Sequence, residues 1–533
     1  MVRTPVRRPR RRAEPSWSSA VGTGSRNIVR GALGSGITAI ISLPLSLLTV
    51  TLVLRKVSLD EYGVWVTVST LLALAGLADV GVSTQIVRKV AAAVGAKDRA
   101  AEQAAVNEGV TVLVAMAAAV LVLGAGAAVA APAVLQIPPS MSTGDVTALG
   151  VFVACNLAAT VVLTGRFAAL RGFQRVDLIA RGELAGSLSQ FVIAVGGVYA
   201  GGGVWALAAG SAARLLVASV VQAAALRQLR PGQRVRLQRL TGRALRAYAG
   251  VSTALLVASA ANIIDHQLDK VLLASIVGPA AAASYQLGAT LALQARSLAL
   301  LPISLLLAGT AELQSGDKLD RVRLVLASTN GSLAAVGLGG VMVLAEPFVD
   351  VWLGTSYDDV ALAALILALA LLINACTGPW YYFALGKGWF RIPTWSAAAN
   401  LVVNAAVSWT AIIHLGLIGA LWGSVAGNLA GFVVLHVLLK HRDPPAGRMS
   451  PVLKPVLFLV LPGVAAQHYA GQLPSGWLPL LAAGATWLLI CLVTLKLGRV
   501  LPPRSTIQSL LALRLTGSPE AGPARGPGGP AHD

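Results

Sequence analysis

Residues 172–216 read GFQRVDLIARGELAGSLSQFVIAVGGVYAGGGVWALAAGSAARLL, and residues 388–432 read GWFRIPTWSAAANLVVNAAVSWTAIIHLGLIGALWGSVAGNLAGF. Gly172 and Arg175 match Gly388 and Arg391 at an offset of 216, and Gly202 and Trp205 match Gly419 and Trp422 one residue later. Each copy contains two apolar runs long enough to cross a bilayer as helices. Two unrelated apolar hairpins would share composition, but not Gly-x-x-Arg and Gly-x-x-Trp at a nearly fixed offset. The stretch therefore reads as one half of a duplicated membrane protein.

Composition agrees. The chain has 533 residues, 56% hydrophobic and 12% charged, with a mean hydropathy of +0.73. A soluble protein carries roughly a quarter of its residues as charged ones. The fold class expected is an all-α integral membrane protein of about fourteen transmembrane helices. Apolar runs lie near 31–54, 62–87, 109–131, 147–169, 183–201, 204–227, 248–276, 281–309, 324–345, 360–385, 393–413, 417–439, 455–471 and 477–495. Six spans separate the two copies, so both point the same way: two parallel six-helix lobes, followed by two C-terminal helices. Parallel repeats about an axis along the membrane normal are a transporter pattern. The expected division is a basic N-tail (1–28), an N-lobe (29–228), a basic linker (229–247), a C-lobe (248–440), two further helices (441–497) and a Pro/Gly-rich tail (498–533).

The net charge of +20 follows topology rather than a binding patch. With the N-terminus inside, and with Arg227 at the very end of its run counted with the loop that follows, cytoplasmic segments carry 36 of the 42 lysines and arginines, and outside loops hold only Arg55 and Lys56. This is the positive-inside pattern, which places both termini in the cytoplasm and argues against nucleic acid as a partner. Eight arginines precede the first span, a tail suited to anionic membrane lipids or to a cytoplasmic partner. The 33 arginines to 9 lysines, with abundant alanine, suit a bacterium of high genomic G+C, hence a bacterial cytoplasmic membrane. Cys155, Cys376 and Cys491 lie in apolar runs without CxxC spacing and read as small core residues, with neither disulfide nor metal implied. No P-loop, no activated nucleophile and no soluble domain able to hold paired catalytic carboxylates is found. An enzyme is therefore not expected.

Four bases, Arg166, Arg214, Lys270 and Arg296, remain inside spans, against the intramembrane acids Asp79, Asp265 and Asp269. In the second copy Gly419, Gly423, Gly427 and Gly431 make a ridge that fits a close-packed neighbouring helix. The matching face in the first copy is Gly202, Ala206, Gly210 and Arg214, so Arg214 continues a face that points into protein. A charge near mid-membrane costs about 2.5 to 3.5 kcal/mol on insertion scales and faces a cavity or a partner. Two uses fit Arg214: an ion pair or carbonyl cap that fastens helices, or a cationic cavity for a phosphate-bearing substrate. Arg166, in the inner part of its helix, also has the option of snorkelling to the headgroups. Asp265 and Asp269 share one helix face, as do Asn400 and Asn404. The asparagines Asn374, Asn400, Asn404 and Asn428 read as links between helices.

Several segments resemble a known family. LRKVSLDEYGVWVTVSTLLALAGLADVGVSTQIVRKVA (54–91), with its Glu-Tyr-Gly, Asp79-x-Gly81 and Arg88, is similar to the first hairpin of bacterial polysaccharide biosynthesis flippases. These are the O-antigen translocase group of the MATE-like exporter superfamily. LDKVLLASIVGPAAAASYQLGATLAL (268–293) resembles that family's seventh and eighth helices, and AEPFVDVWLGTSYDD (345–359) and ALGKGWFR (384–391) its second-half loops. The resemblance runs in order over about residues 27–440. It implies two lobes opening alternately to either membrane face. The substrate it implies is a polyprenyl-diphosphate-linked oligosaccharide, supplied and used by polymerase and glycosyltransferase machinery. It favours Arg296 and Lys270 as diphosphate ligands, because the family's cavity is lined by helices 1, 2, 7 and 8. Arg30 becomes a contact at the inner mouth, and Arg214 a more peripheral one; Arg166 completes the basic set. Asp79, Asp265 and Asp269 become candidates for coupling to sodium or protons, or for gating, with no other cofactor. The readings kept beside it are a peptidoglycan-precursor flippase, a drug/cation antiporter of the same superfamily and a non-transporting envelope-assembly scaffold. Four bases against three acids point away from the antiporter.

Overall fold

The structure is a computed structural model. It describes residues 38, 41–42, 44–73, 82–232, 235–239, 242, 253–299, 317–442, 450–470, 472, 474 and 476–497. Among these residues the regular secondary structure is helical, without a strand. The helices are α1 (Pro44–Leu54), α2 (Leu59–Ala73), α3 (Val82–Gly95), α4 (Arg99–Val134), α5 (Thr143–Gly172), α6 (Val176–Tyr199), α7 (Gly203–Leu229), α8 (Thr253–Ile276) and α9 (Pro279–Ala299). They continue with α10 (Asp317–Trp352), α11 (Asp358–Gly386), α12 (Arg391–Leu415), α13 (Leu417–Arg442), α14 (Ser450–Ala470) and α15 (Trp477–Leu497).

Nine of the described helices are long and apolar enough to cross a membrane, ten if α14, bent by 43°, counts as one span. This is a multi-pass membrane protein. The count of fourteen is not reached. The runs near 31–54, 62–87, 248–276 and 281–309 pass through residues outside the described set, and α8 also carries Asp265, Asp269 and Lys270. The lipid-side surface is apolar: Val122, Leu123, Val220, Val402 and Leu481 are all exposed. In water such a surface would aggregate; in a bilayer it is ordinary.

Helix ends follow local chemistry. Asp98 caps α4 by accepting from the amides of Ala100 and Ala101 at 2.9 and 3.0 Å. Ser142 and Asp145 form a reciprocal capping box on α5. Both devices satisfy amide donors that the first helical turn leaves unpaired. Arg175 grips Asp177 through two 2.9 Å hydrogen bonds where α6 begins.

By packing the chain forms two compact units, one of Met1–Leu287 with Asn404–Gly423, the other of Gly288–Val403 with Ser424–Asp533. In the first, α4 lies along α5 and α6 along α7, and Ile86, Leu113 and Val106 sit in a buried cluster. The α6–α7 seam is built from small residues. A Cβ on Gly197 would lie 2.8 Å from that of Ala206, one on Gly210 would lie 3.0 Å from the Gln190 carbonyl, and one on Gly186 would lie 2.8 Å from the Arg214 carbonyl. The face Gly202, Ala206, Gly210 and Arg214 thus does meet a neighbouring helix at backbone distance. The glycine ridge of α13 does the same. A Cβ on Gly419 would collide with the backbone of Ala411, and one on Gly423 with Ser408 Oγ.

In the second unit α10 is the common support for α11, α14 and α15. Trp380 and Phe383 of α11 are among its largest fully buried side chains. A Cβ on Gly331 would strike the Val452 carbonyl of α14, and those on Gly339 and Gly340 would lie 2.9 and 3.0 Å from the Trp487 ring of α15. Trp487 Nε1 donates to the Val336 carbonyl at 2.9 Å, which satisfies the indole within the membrane.

The seams predict a contrast. Gly419→Ala, which forces a methyl into the Ala411 backbone, should destabilise the purified protein by about 1–3 kcal/mol. Gly126→Ala, with open space around its Cβ, should leave thermal unfolding in detergent unchanged or slightly raised. Equal melting temperatures for the two variants would refute the close seam.

Candidate functional site

The residues singled out for their charge fall into separate constellations. In the first unit, α8 brings Asp265 and Asp269 to one face, and both point at Asn404 of α12. Asn404 Nδ2 donates to Asp265 Oδ1 at 3.0 Å and to Asp269 Oδ2 at 3.3 Å. Tyr285 of α9 donates to Asp269 Oδ2 at 2.9 Å, and Ser408 donates to Asn404 Oδ1 at 2.9 Å. Asp265, Asp269, Asn404 and Ser408 are all buried. The two carboxylates thus share one amide donor from α12. Lys270 is also buried, and its Nζ donates to Gln286 Oε1 at 2.8 Å rather than to a carboxylate oxygen.

In the second unit, Arg296 of α9 begins a relay of neutral amides. Its Nε donates to Asn374 Oδ1 at 3.0 Å; Asn374 Nδ2 donates to Asn428 Oδ1 at 2.9 Å; Asn428 Nδ2 donates to the Ser424 carbonyl at 2.8 Å. The relay ties α9, α11 and α13 together and fixes the guanidinium through one edge. Among the described residues no carboxylate pairs with Arg296, which is half-buried. Its charge is oriented without being neutralised.

Arg214 is handled differently. Its backbone lies in the α6–α7 seam, but its guanidinium reaches Glu183 Oε2 at 3.1 Å. The pair lines a cleft of about 400 Å³ between α5, α6 and α7 together with Asn156, Thr160, Ser211 and Gln222. Arg214 thus both bridges two helices and lines a cleft. Glu183 is the first residue of the apolar run 183–201 and so reads as a boundary residue, whereas α6 starts at Val176. The polar first turns of α6 hide the fact that Glu183 is two turns inside the helix.

Arg166 lies on α5, where its Nη1 donates to the Ser219 carbonyl at 3.4 Å, in a different cavity from Arg214. Arg30 and Asp79 lie outside the described residues. Of the residues that complete the constellations, Tyr285 is one of the anchors of the family resemblance in 268–293, whereas Gln286 and Ser408 carried no signal in the sequence beyond being polar inside apolar runs. Asn404, Asn374 and Asn428 do link helices, as their positions suggested.

No curated protein sequence matches the chain. Among solved structures, lipid II flippase MurJ in an inward closed conformation is similar with a TM-score of 0.66 and 12% identity, covering 87% of this chain and 98% of that one. An inward-facing multidrug resistance MATE family transporter of the MOP superfamily follows with a TM-score of 0.62 and 15% identity, over 78% of this chain and 95% of that one. A Vibrio cholerae MATE transporter gives 0.56 and 14%, over 80% and 100%. At these identities the likeness is one of fold. The family model for polysaccharide biosynthesis proteins matches residues 52–362, more than half of the chain, which upholds the resemblance read from the sequence motifs. With its all-helical membrane fold and its ordered motifs inside that match, the chain belongs to the polysaccharide biosynthesis protein family.

Proposed function

We propose that this protein is a flippase that carries a polyprenyl-diphosphate-linked oligosaccharide across the bacterial cytoplasmic membrane by alternating access, with both termini in the cytoplasm. The observation that carries the reading is Arg296: a membrane-embedded guanidinium held by a neutral amide and left without an acidic partner among the described residues. A lipid-linked sugar cannot cross unaided, because its diphosphate and hydroxyls would lose their hydration. An oriented guanidinium replaces that water with charge-assisted hydrogen bonds to phosphate oxygens, and it stays charged at depth. The family match and the fold shared with a lipid II flippase support the same substrate class. That fold likeness also keeps the peptidoglycan-precursor reading open, since the diphosphate chemistry is the same. In this reading Asp265 and Asp269 bind the coupling cation, sodium or a proton. The polymer-building enzymes of the envelope are the partners that consume the product, and no chemical step is performed by the chain itself.

Loss of the protein should cause lipid-attached saccharide to build up on the cytosolic side, and mass spectrometry of that glycan distinguishes an oligosaccharide unit from a peptidoglycan precursor. Arg296→Ala should lower polymer export about tenfold or more, the worth of one charge-assisted hydrogen bond to phosphate. Undiminished export by a stably inserted Arg296→Glu protein would overturn the assignment. The Arg214–Glu183 pair should behave otherwise: Arg214→Glu alone destabilises the protein, and the exchange Arg214→Glu with Glu183→Arg restores it, as measured by melting in detergent. Asp265→Asn should make transport in proteoliposomes insensitive to an imposed sodium or proton gradient; a variant still driven by both gradients would remove Asp265 from coupling.

A further inference from the structure

A second arginine pair lies in the first unit, at the end of α7 that leads into the basic segment. Arg166 of α5 and Arg227, in the last turn of α7, line a cavity of about 560 Å³. Its other walls are Val106 and Val110 of α4 and Leu226 of α7, with Val235 of the segment beyond α7 closing one side. None of the described residues lining it is acidic. The acids nearby on α4 are engaged elsewhere: Glu102 is forked by Arg230 at 2.8 and 3.2 Å, and Glu108 holds Lys89 at 2.8 Å. Arg166 spends one nitrogen on the 3.4 Å contact with the Ser219 carbonyl. Arg227 makes no ion pair among the described residues.

The cavity is also held open by its own framework. The segment after α7 is strapped to α4, where the Arg236 amide donates to Asn107 Oδ1 at 3.0 Å and the Gln238 amide to Thr111 Oγ1 at 2.9 Å. Arg227 sits in the last turn of its helix. Arg166 lies six residues before the end of α5, about 9 Å deeper along the helix. Two guanidiniums at these depths beside a valine and leucine wall present an amphipathic site, with charge for a phosphate ester and hydrocarbon for the chain below it.

We propose that Arg166, Arg227 and the apolar wall beside them bind an anionic glycerophospholipid of the adjoining leaflet, with its phosphate between the two guanidiniums. A free phosphate ion would gain the charges but not the wall, whereas a lipid uses both. The assignment stands on the first unit alone and is independent of Arg296.

The test is native mass spectrometry of the full chain in detergent, titrated with phosphatidylglycerol or with zwitterionic phosphatidylcholine. The wild type should bind phosphatidylglycerol at least about tenfold more tightly than phosphatidylcholine. Arg227→Gln, at an exposed position that folding tolerates, should weaken phosphatidylglycerol about fivefold, the worth of one guanidinium at a lipid surface. Arg166→Gln with Arg227→Gln should abolish the preference, while Arg166→Lys with Arg227→Lys retains it. Equal binding of the two lipids by the wild type, or an undiminished preference in Arg227→Gln, would overturn the proposal. Displacement of the lipid by millimolar inorganic phosphate would overturn it too, by assigning the cavity to a free anion.

Discussion

A charge inside a bilayer has no solvent except the protein around it, and the architecture of this chain follows from how each buried ion is solvated. Arg214 is answered by a carboxylate, Glu183, at 3.1 Å. Asp265 and Asp269 are answered by one asparagine amide. Lys270 and Arg296 each donate to a neutral amide oxygen. The first solution bridges α6 and α7 at the edge of a cleft, the second ties α8 to α12, and the third orients a cation through a neutral amide.

The seams themselves rest on the absence of side chains. Lipid tails are as apolar as leucine, so burial alone does not drive helices together, and close approach must supply the contact. Gly186, Gly197 and Gly210 let α6 and α7 meet at backbone distance, and Gly419 and Gly423 do the same for α12 and α13. The duplicated stretch is therefore duplicated in mechanism as well as in sequence. In one copy the small-residue face ends in an arginine and in the other it continues as glycine. That substitution is tolerated because Gly186 leaves room for the Arg214 carbonyl and Cγ, while the guanidinium turns to Glu183.

Much of this was legible beforehand, and the limits have physical causes. Hydropathy finds apolar runs, so the span cores and the class of fold came directly from residues such as 109–131 and 360–385. Hydropathy also trims polar turns. α4 begins at Arg99, ten residues before its apolar run, because Asp98 caps it, and α6 begins at Val176 beside the Arg175–Asp177 fork. Trimming α6 concealed Glu183, and with it the partner of Arg214 on a helix 31 residues away. The shared face of Asp265 and Asp269 was readable from one turn of spacing. Their meeting with Asn404 was not, since it joins residues 139 and 135 positions apart. The ordered family motifs carried the substrate class further than any single charge did.

The notches on α10 have a consequence for the length of the chain. Gly331, Gly339 and Gly340 are shaped by the helices that fill them, α14 through Val452 and α15 through the Trp487 ring. Stripped of those two helices, α10 would present hollows to flexible acyl chains, which fill concave surfaces poorly. The three glycines and the last two helices are therefore a matched set: removing α14 and α15 would call for bulkier residues at these positions to fill the surface left behind.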